Sequence, residues 1–193
     1  MTRTTSPSTG TSSTSLENTE RDALAGAMRD AVTNGGKSLR ELTDARPQLV
    51  VFLRHAGCPF CREAASDLSA RRKTIEARGV GLVLVHQNTE PEAKEFFAMY
   101  GLEDVPRISD PERALYRAFD LKRGSLWQIF GPKVWWRSIV ALVGGHRAGR
   151  VAGDAFQMPG AFLIDSGVIV SAHRHRSQAD RPDYDELATC PRR

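Results

Sequence analysis

The stretch Gln48-Leu49-Val50-Val51-Phe52-Leu53-Arg54-His55-Ala56-Gly57-Cys58-Pro59-Phe60-Cys61 decides how this chain is read. Its first six residues form a short apolar run with a β-branched centre, the texture of a buried strand. Two cysteines separated by two residues follow at once. After them Cys61, Ala64, Ala65, Leu68 and Ile75 recur at helical spacing up to Arg78-Gly79, and Val80 to Val85 is a second apolar run. Strand, turn, helix, strand is a βαβ unit with parallel strands and a right-handed crossover.

Towards the N-terminus, residues 1–15 are almost entirely Thr, Ser, Pro and Gly. Such a composition cannot offset the entropy of ordering, so this segment is expected to be a disordered tail. A helix is expected from about Leu16, through Leu24, Ala27, Met28 and Ala31, ended by Asn34-Gly35-Gly36; the N-terminal helical unit is 16–34. Towards the C-terminus a helix runs from about Pro91 to Tyr100, with Gly101 as its cap. Val105 to Ser109 reads as a short edge strand, because Pro106 has no place in a sheet centre. Pro111 to Phe119 reads as helical. Ala161-Phe162-Leu163-Ile164, the turn Asp165-Ser166-Gly167 and Val168-Ile169-Val170 make a β-hairpin, and Asp183 to Thr189 a last helix. The order βαβ, further α/β elements, then ββα resembles the thioredoxin-like layout, and 35–190 is the expected domain.

Length and composition bound the function. One domain with an extra segment fits 193 residues. Apolar residues at 40% and charged residues at 26% exclude collagen-like, coiled-coil and wholly disordered chains. A net charge of +4 is too weak a bias for a dedicated nucleic-acid binder. Three cysteines, at 58, 61 and 190, are no disulfide framework, and the close pair suits a reducing compartment. No secretory signal pattern and no spanning apolar run is present, so a cytoplasmic location is expected.

The cysteine pair stands where a strand ends and a helix begins. Free amides and the helix dipole stabilise an anion there, which lowers a thiol pKa from about 8.5 and populates the thiolate. Pro59 fits the first helical turn, and Arg54, His55 and Arg62 can each add positive potential. Redox chemistry is the favoured reading. The alternatives are a buried unreactive pair or half of a zinc site, for which about four ligands are needed. Gln157-Met158-Pro159 before the hairpin suggests a cis proline facing the cysteines, with Met158 lining a substrate groove. Cys58 and Cys61 are therefore the catalytic candidates, and Met158, Pro159, Arg54 and His55 the substrate-binding ones.

Several separated segments carry a resemblance. Val51-Phe52-Leu53-Arg54-His55 with Cys58-Pro59-Phe60-Cys61-Arg62-Glu63, then Gly153-Asp154, Gln157 through Asp165, and His175-Arg176-Ser177 with Ala179-Asp180, resemble the peroxiredoxin-like 2 group. That group lies within the AhpC/TSA set and is related to selenoprotein L. The resemblance implies a thioredoxin-like three-layer α/β/α sandwich with peroxiredoxin-type helical insertions. It also implies thiol-dependent reduction of a peroxide or a disulfide, no bound organic cofactor or metal, and an external thiol reductant, thioredoxin- or glutathione-like. One departure matters. True peroxiredoxins carry Pro-x-x-x-Thr/Ser-x-x-Cys, whereas here Cys58 stands three before Cys61 and Arg54 stands four before that. With Cys58, expected to be the more exposed thiol, as first nucleophile, Cys61 resolves the mixed disulfide or condenses with the sulfenic acid.

Residues 121–150 hold Trp127, Trp135, Trp136, six basic residues and no acidic one. A helical insertion packed on the fold is the preferred reading; an interfacial helix on an anionic membrane, or a docking face for an acidic partner, competes with it. Docking without catalysis through this segment is the main non-enzymatic alternative. His173 and His175 share one strand face and Arg174 and Arg176 the other, a pattern read as a solvated sheet end. Cys190 reads as an exposed bystander.

Overall fold

The computed structural model describes residues 12–124, 154, 156–177 and 180–189. Calls on the remainder, residues 1–11 of the tail expected over 1–15, most of the 121–150 insertion and Cys190, lie outside the described residues, while residues 12–15 of that tail are helical. The elements are α1 (Ser12–Asp30), α2 (Leu39–Ala45), β1 (Gln48–Phe52), α3 (Pro59–Ala77), β2 (Gly81–His86), α4 (Glu90–Ala98), β3 (Arg107–Ser109), α5 (Ala114–Ala118), β4 (Gly160–Asp165), β5 (Val168–Arg174) and α6 (Tyr184–Leu187). The first helix starts four residues before Leu16 and ends at Asp30 rather than at the glycines.

The five strands form one sheet in the order β3-β2-β1-β4-β5. β1 pairs with β2 in parallel, as the βαβ reading requires, and β4 with β5 antiparallel, as the hairpin reading requires; β2 pairs with β3 in parallel and β1 with β4 antiparallel. β1 and β2 are buried along their whole length because helices cover both faces. Alternation then sorts the strand residues. Leu49, Val51, Leu82, Leu84, Ala161 and Leu163 face the layer of α3, α4 and α6. Val50, Phe52, Val83, Val85, Phe162 and Ile164 face the layer of α1, α2 and α5. The result is the expected three-layer α/β/α sandwich. β3 is the edge strand that Pro106 foretold, and the outer strand β5 is only half-buried.

Local chemistry explains the boundaries. Pro59 opens α3, whose buried Cys61, Ala65, Leu68 and Ile75 form the apolar stripe, and Gly79 (φ +81°) follows its end. Ser166 (φ 51°) and Gly167 (φ 75°) are the two central residues of the hairpin turn, both in the left-handed region that a type I′ turn demands. The sequence reading overlooked α2. Its signal is a capping box, in which Ser38 and Glu41 satisfy each other's backbone amides.

Asp110 receives the amides of Ala114, Leu115 and Tyr116 at 2.9, 2.8 and 3.3 Å and so holds the start of α5. Asp110→Ala leaves these amides without that acceptor and is expected to cost about 2 kcal/mol. The check is a lower urea midpoint with an unchanged slope.

Candidate active site

β1 ends at Phe52, and the chain turns through residues 53–57 into α3. Several bonds fix that loop. The Leu53 amide donates to Val85 O at 2.8 Å and the Gln87 amide to Arg54 O at 3.2 Å. The buried Tyr116 hydroxyl donates to Leu53 O, and the Ala56 amide to Asn88 Oδ1 at 3.0 Å. The Cys58 amide donates to His55 O at 3.0 Å, closing a turn. Cys58 is therefore the N-cap of α3 and Cys61 lies one turn along.

The two cysteines approach to 3.5 Å, and both thiols are free. Cys58 is 1% exposed and Cys61 3%. Arg54 serves both. Its guanidinium Nη2 donates to Cys58 Sγ at 2.7 Å, and its backbone amide to Cys61 Sγ at 3.3 Å. Burial alone would push the Cys58 thiol up. The hydrogen bond from Cys61 and the charge and hydrogen bond of Arg54 outweigh it and bring Cys58 down to about 6. Cys61 goes the other way, held well above its ordinary value by its bond to Cys58 and by burial. The pair therefore carries one thiolate, on Cys58, and one thiol, on Cys61. Arg54 remains charged because the thiolate faces it.

A narrow cleft, with about 30 Å³ of room, opens beside the pair. Pro159, Phe60, His175 and Tyr184 line it together with Arg54 and the two cysteines. Arg181, bonded to Glu63 at 2.7 Å and to Asp67, closes one side. The segment before β4 reaches the cleft through Pro159; Gln157, whose buried Nε2 donates to Leu121 O at 2.7 Å, lines a separate pocket beyond α5.

Of the residues singled out from sequence, Cys58, Cys61, Arg54 and Pro159 are brought together, and five expectations need correction. Met158–Pro159 is a trans bond, since no described peptide is cis. Met158 does not line the cleft; its amide donates to Lys122 O at 3.2 Å, which ties it to the segment after α5. His55 lines a separate pocket with His86, Ala93, Phe96 and Phe97, and burial lowers its pKa to about 4, so it adds no positive potential. Arg62 bonds Ala56 O at 3.1 Å and lies over Phe96 instead of the thiols. Cys58 is as buried as Cys61 and not the more exposed thiol.

Sequence reading also undervalued the end of β5. His173 and His175 do share a face, with ring centroids 5.3 Å apart, but they are not a solvated sheet end. His173 lies opposite Ala161 on the α3 side of the sheet, and His175 enters the cleft. Asp180 Oδ2 lies 3.2 Å from His173 Nε2 and accepts the Arg176 amide at 3.1 Å. Tyr116 carried no signal in the sequence and Asp180 only as part of the resembling segment, because only the fold brings them to the loop and to the histidines. Among the described residues no group of three or more His, Cys, Asp or Glu gathers that could hold a metal ion, and no helix is long and apolar enough to cross a membrane.

Comparison with known proteins places this geometry. Peroxiredoxin-like 2A of Bos taurus is 26% identical over 92% of this chain and 79% of its own length. The chloroplastic thioredoxin-like protein AAED1 of Arabidopsis thaliana is 28% identical over 56% of this chain and 43% of its own. The bacterioferritin comigratory protein of Xanthomonas campestris superposes with a TM-score of 0.54 at 22% identity, covering 77% of this chain and 83% of that one, so the thioredoxin-like fold is shared. The family model for AhpC/TSA antioxidant enzymes matches residues 67–177, more than half of the chain, beginning just after the cysteine pair. On that match, and on its likeness to the 2A proteins, the chain belongs to the AhpC/TSA antioxidant enzyme family, in its peroxiredoxin-like 2 group.

Proposed function

We propose that this protein is a thiol-dependent oxidoreductase that reduces a small hydroperoxide with Cys58 and Cys61. One observation carries the reading: the Arg54 guanidinium 2.7 Å from Cys58 Sγ at the start of α3. That arrangement holds a thiolate at neutral pH beside a fixed cation, which also stabilises charge developing on a leaving oxygen. Burial of both sulfurs favours a small peroxide over a protein disulfide, because a folded partner cannot bring its own disulfide to a thiol 1% exposed. The Xanthomonas relative was studied for alkyl peroxide reduction, which agrees with this choice.

Cys58 thiolate attacks the distal peroxide oxygen, the O–O bond breaks, and the alkoxide takes a proton from solvent. Cys58 is then a sulfenic acid. Cys61 sulfur attacks the Cys58 sulfur, an S–S bond forms, and hydroxide leaves as water with the Cys61 proton. An external thiol reductant, thioredoxin- or glutathione-like, returns the pair to two thiols. Such chemistry fits the cytoplasm, and the chloroplastic relative indicates that other reducing compartments suit the family as well.

The test is a titration of the reduced protein with a limiting hydroperoxide while free thiols are counted and sulfenic acid is trapped. Two thiols are expected to disappear in wild type. Sulfenic acid should accumulate in Cys61→Ser and not in Cys58→Ser. Inertness to peroxide with fast exchange against a small disulfide would replace the peroxidase by a disulfide reductase. Inertness to both would leave docking through 121–150 as the better reading.

A further inference from the structure

Cys61 has to lose a proton before its sulfur can attack Cys58, and neither Arg54 nor the thiolate chemistry supplies a base for it. In the reduced pair the bond to Cys58 and burial hold that proton, and burial still opposes its loss once Cys58 is oxidised. Among the groups lining the cleft that could take it, Glu63 and Asp67 are paired with Arg181 and Asp180 is bonded to His173 and the Arg176 amide, which leaves His175. The Nδ1 of His175 is buried and has no hydrogen-bond partner among the described residues. The ring lines the same cleft as Cys58 and Cys61, and the His175 amide, donating to Pro159 O at 3.3 Å, fixes its backbone against the strand that carries Pro159.

We propose that His175 is the base of the resolving step, accepting the Cys61 proton at Nδ1. The inference rests on the redox reading of the pair. As the Cys61 S–H bond breaks, the proton moves to His175 Nδ1, and Cys61 sulfur forms its bond to the Cys58 sulfur. The Cys58 S–O bond breaks, and the departing hydroxide takes the proton back from the imidazolium and leaves as water. His175 is regenerated neutral. The two electrons pass from the thiol pair to the peroxide consumed in the first step.

The surroundings suit that role. Of the charged and titratable groups near His175, Asp180 favours a charged ring, while Arg54 and His173 oppose it. Arg181, Glu63 and Asp67 are engaged with one another across α3. Burial, His173 and Arg54 keep His175 neutral at rest, with a pKa of about 4, so the ring has a free lone pair but holds a proton weakly and hands it on at once to the departing hydroxide. Asp180, bonded to His173 beside it, supports the short-lived imidazolium.

The experiment is single turnover with one equivalent of hydrogen peroxide, following sulfenic acid and free thiol separately from pH 6 to 9. In His175→Gln the formation of Cys58 sulfenic acid is expected to stay within about twofold of wild type. Loss of the second thiol should slow about 100-fold at pH 7, the scale of a missing general base. It should also acquire a tenfold rise per pH unit, because Cys61 must then lose its proton to hydroxide; wild type shows no such slope. Asp180→Asn should slow only the second step, by about fivefold, and carries the test if His175→Gln does not fold. A second step with wild-type rate and pH profile in both variants would overturn the role of His175. Failure of wild type to form sulfenic acid would overturn the redox reading itself, and the inference with it.

Discussion

Arg54→Met is expected to lower the rate of Cys58 oxidation by peroxide about 100-fold at pH 7 and to move the midpoint of its pH–rate profile from about 6 to above 8.5. Two effects combine. Without the guanidinium at 2.7 Å, only the bonds from Cys61 and the helix terminus oppose burial of the Cys58 thiol, and less thiolate is left at neutral pH. The rarer thiolate is a stronger nucleophile, which returns part of the loss. The cation beside the leaving oxygen is gone as well, and removing one such donor from a site costs about 100- to 1000-fold in other systems. Arg54→Lys keeps the charge but not the planar fork, so it should recover only part of the rate. Stopped-flow oxidation across pH 5–10 checks this. A midpoint unmoved in Arg54→Met would mean that the helix terminus, and not Arg54, sets the thiol.

Acid is expected to destabilise the fold well above the range in which carboxylates protonate. His55, His86 and His175 are held neutral by burial, each with a pKa near 4. Each has a buried ring nitrogen without a partner among the described residues, which suits the neutral ring. In the unfolded chain these rings titrate near 6.5. Above pH 6.5 they are neutral in both states and the stability is complete. As the pH falls below 6.5, the unfolded chain takes up protons that the folded one refuses, so stability declines until about pH 4, where the folded rings charge too. His86, enclosed between the sheet and Phe97, contributes about 3 kcal/mol of this loss. That is a large share of the 5–15 kcal/mol typical of a domain. Urea unfolding between pH 7.5 and 4 should follow this slope, and His86→Asn should lower the proton uptake on unfolding by about one. Equal stability at pH 7 and pH 4.5 would contradict it.

The sequence made the centre of the fold legible and its long-range contacts only partly so. β1, α3 and β2 were readable because each has one clean periodicity, and the Ser166-Gly167 turn because its backbone conformation demands those residue types. α2 escaped because seven residues give too short a period, although its capping box was there to be read. The cysteine pair was legible at once, but the exposure of Cys58 was not. An N-cap position fixes the electrostatics of a thiol and says nothing about what covers it, and here the segment around 180–184 helps to enclose the cleft. Arg54, His55 and Arg62 looked equivalent in sequence. The fold separates them: the loop bonds turn Arg54 to the sulfurs, bury His55 among α4 side chains and send Arg62 to Ala56 O. Alternation did place His173 and His175 on one face, yet the carboxylate that meets them follows the strand, and no period predicts that encounter.

The most direct measurement is the thiolate absorbance near 240 nm of the reduced protein, titrated from pH 4 to 10 in wild type, Cys58→Ser and Cys61→Ser. One thiolate with a midpoint near 6, lost in Cys58→Ser and kept in Cys61→Ser, is the predicted result. No thiolate below pH 8, or one that disappears with Cys61 instead, would contradict Cys58 as the Arg54-activated nucleophile.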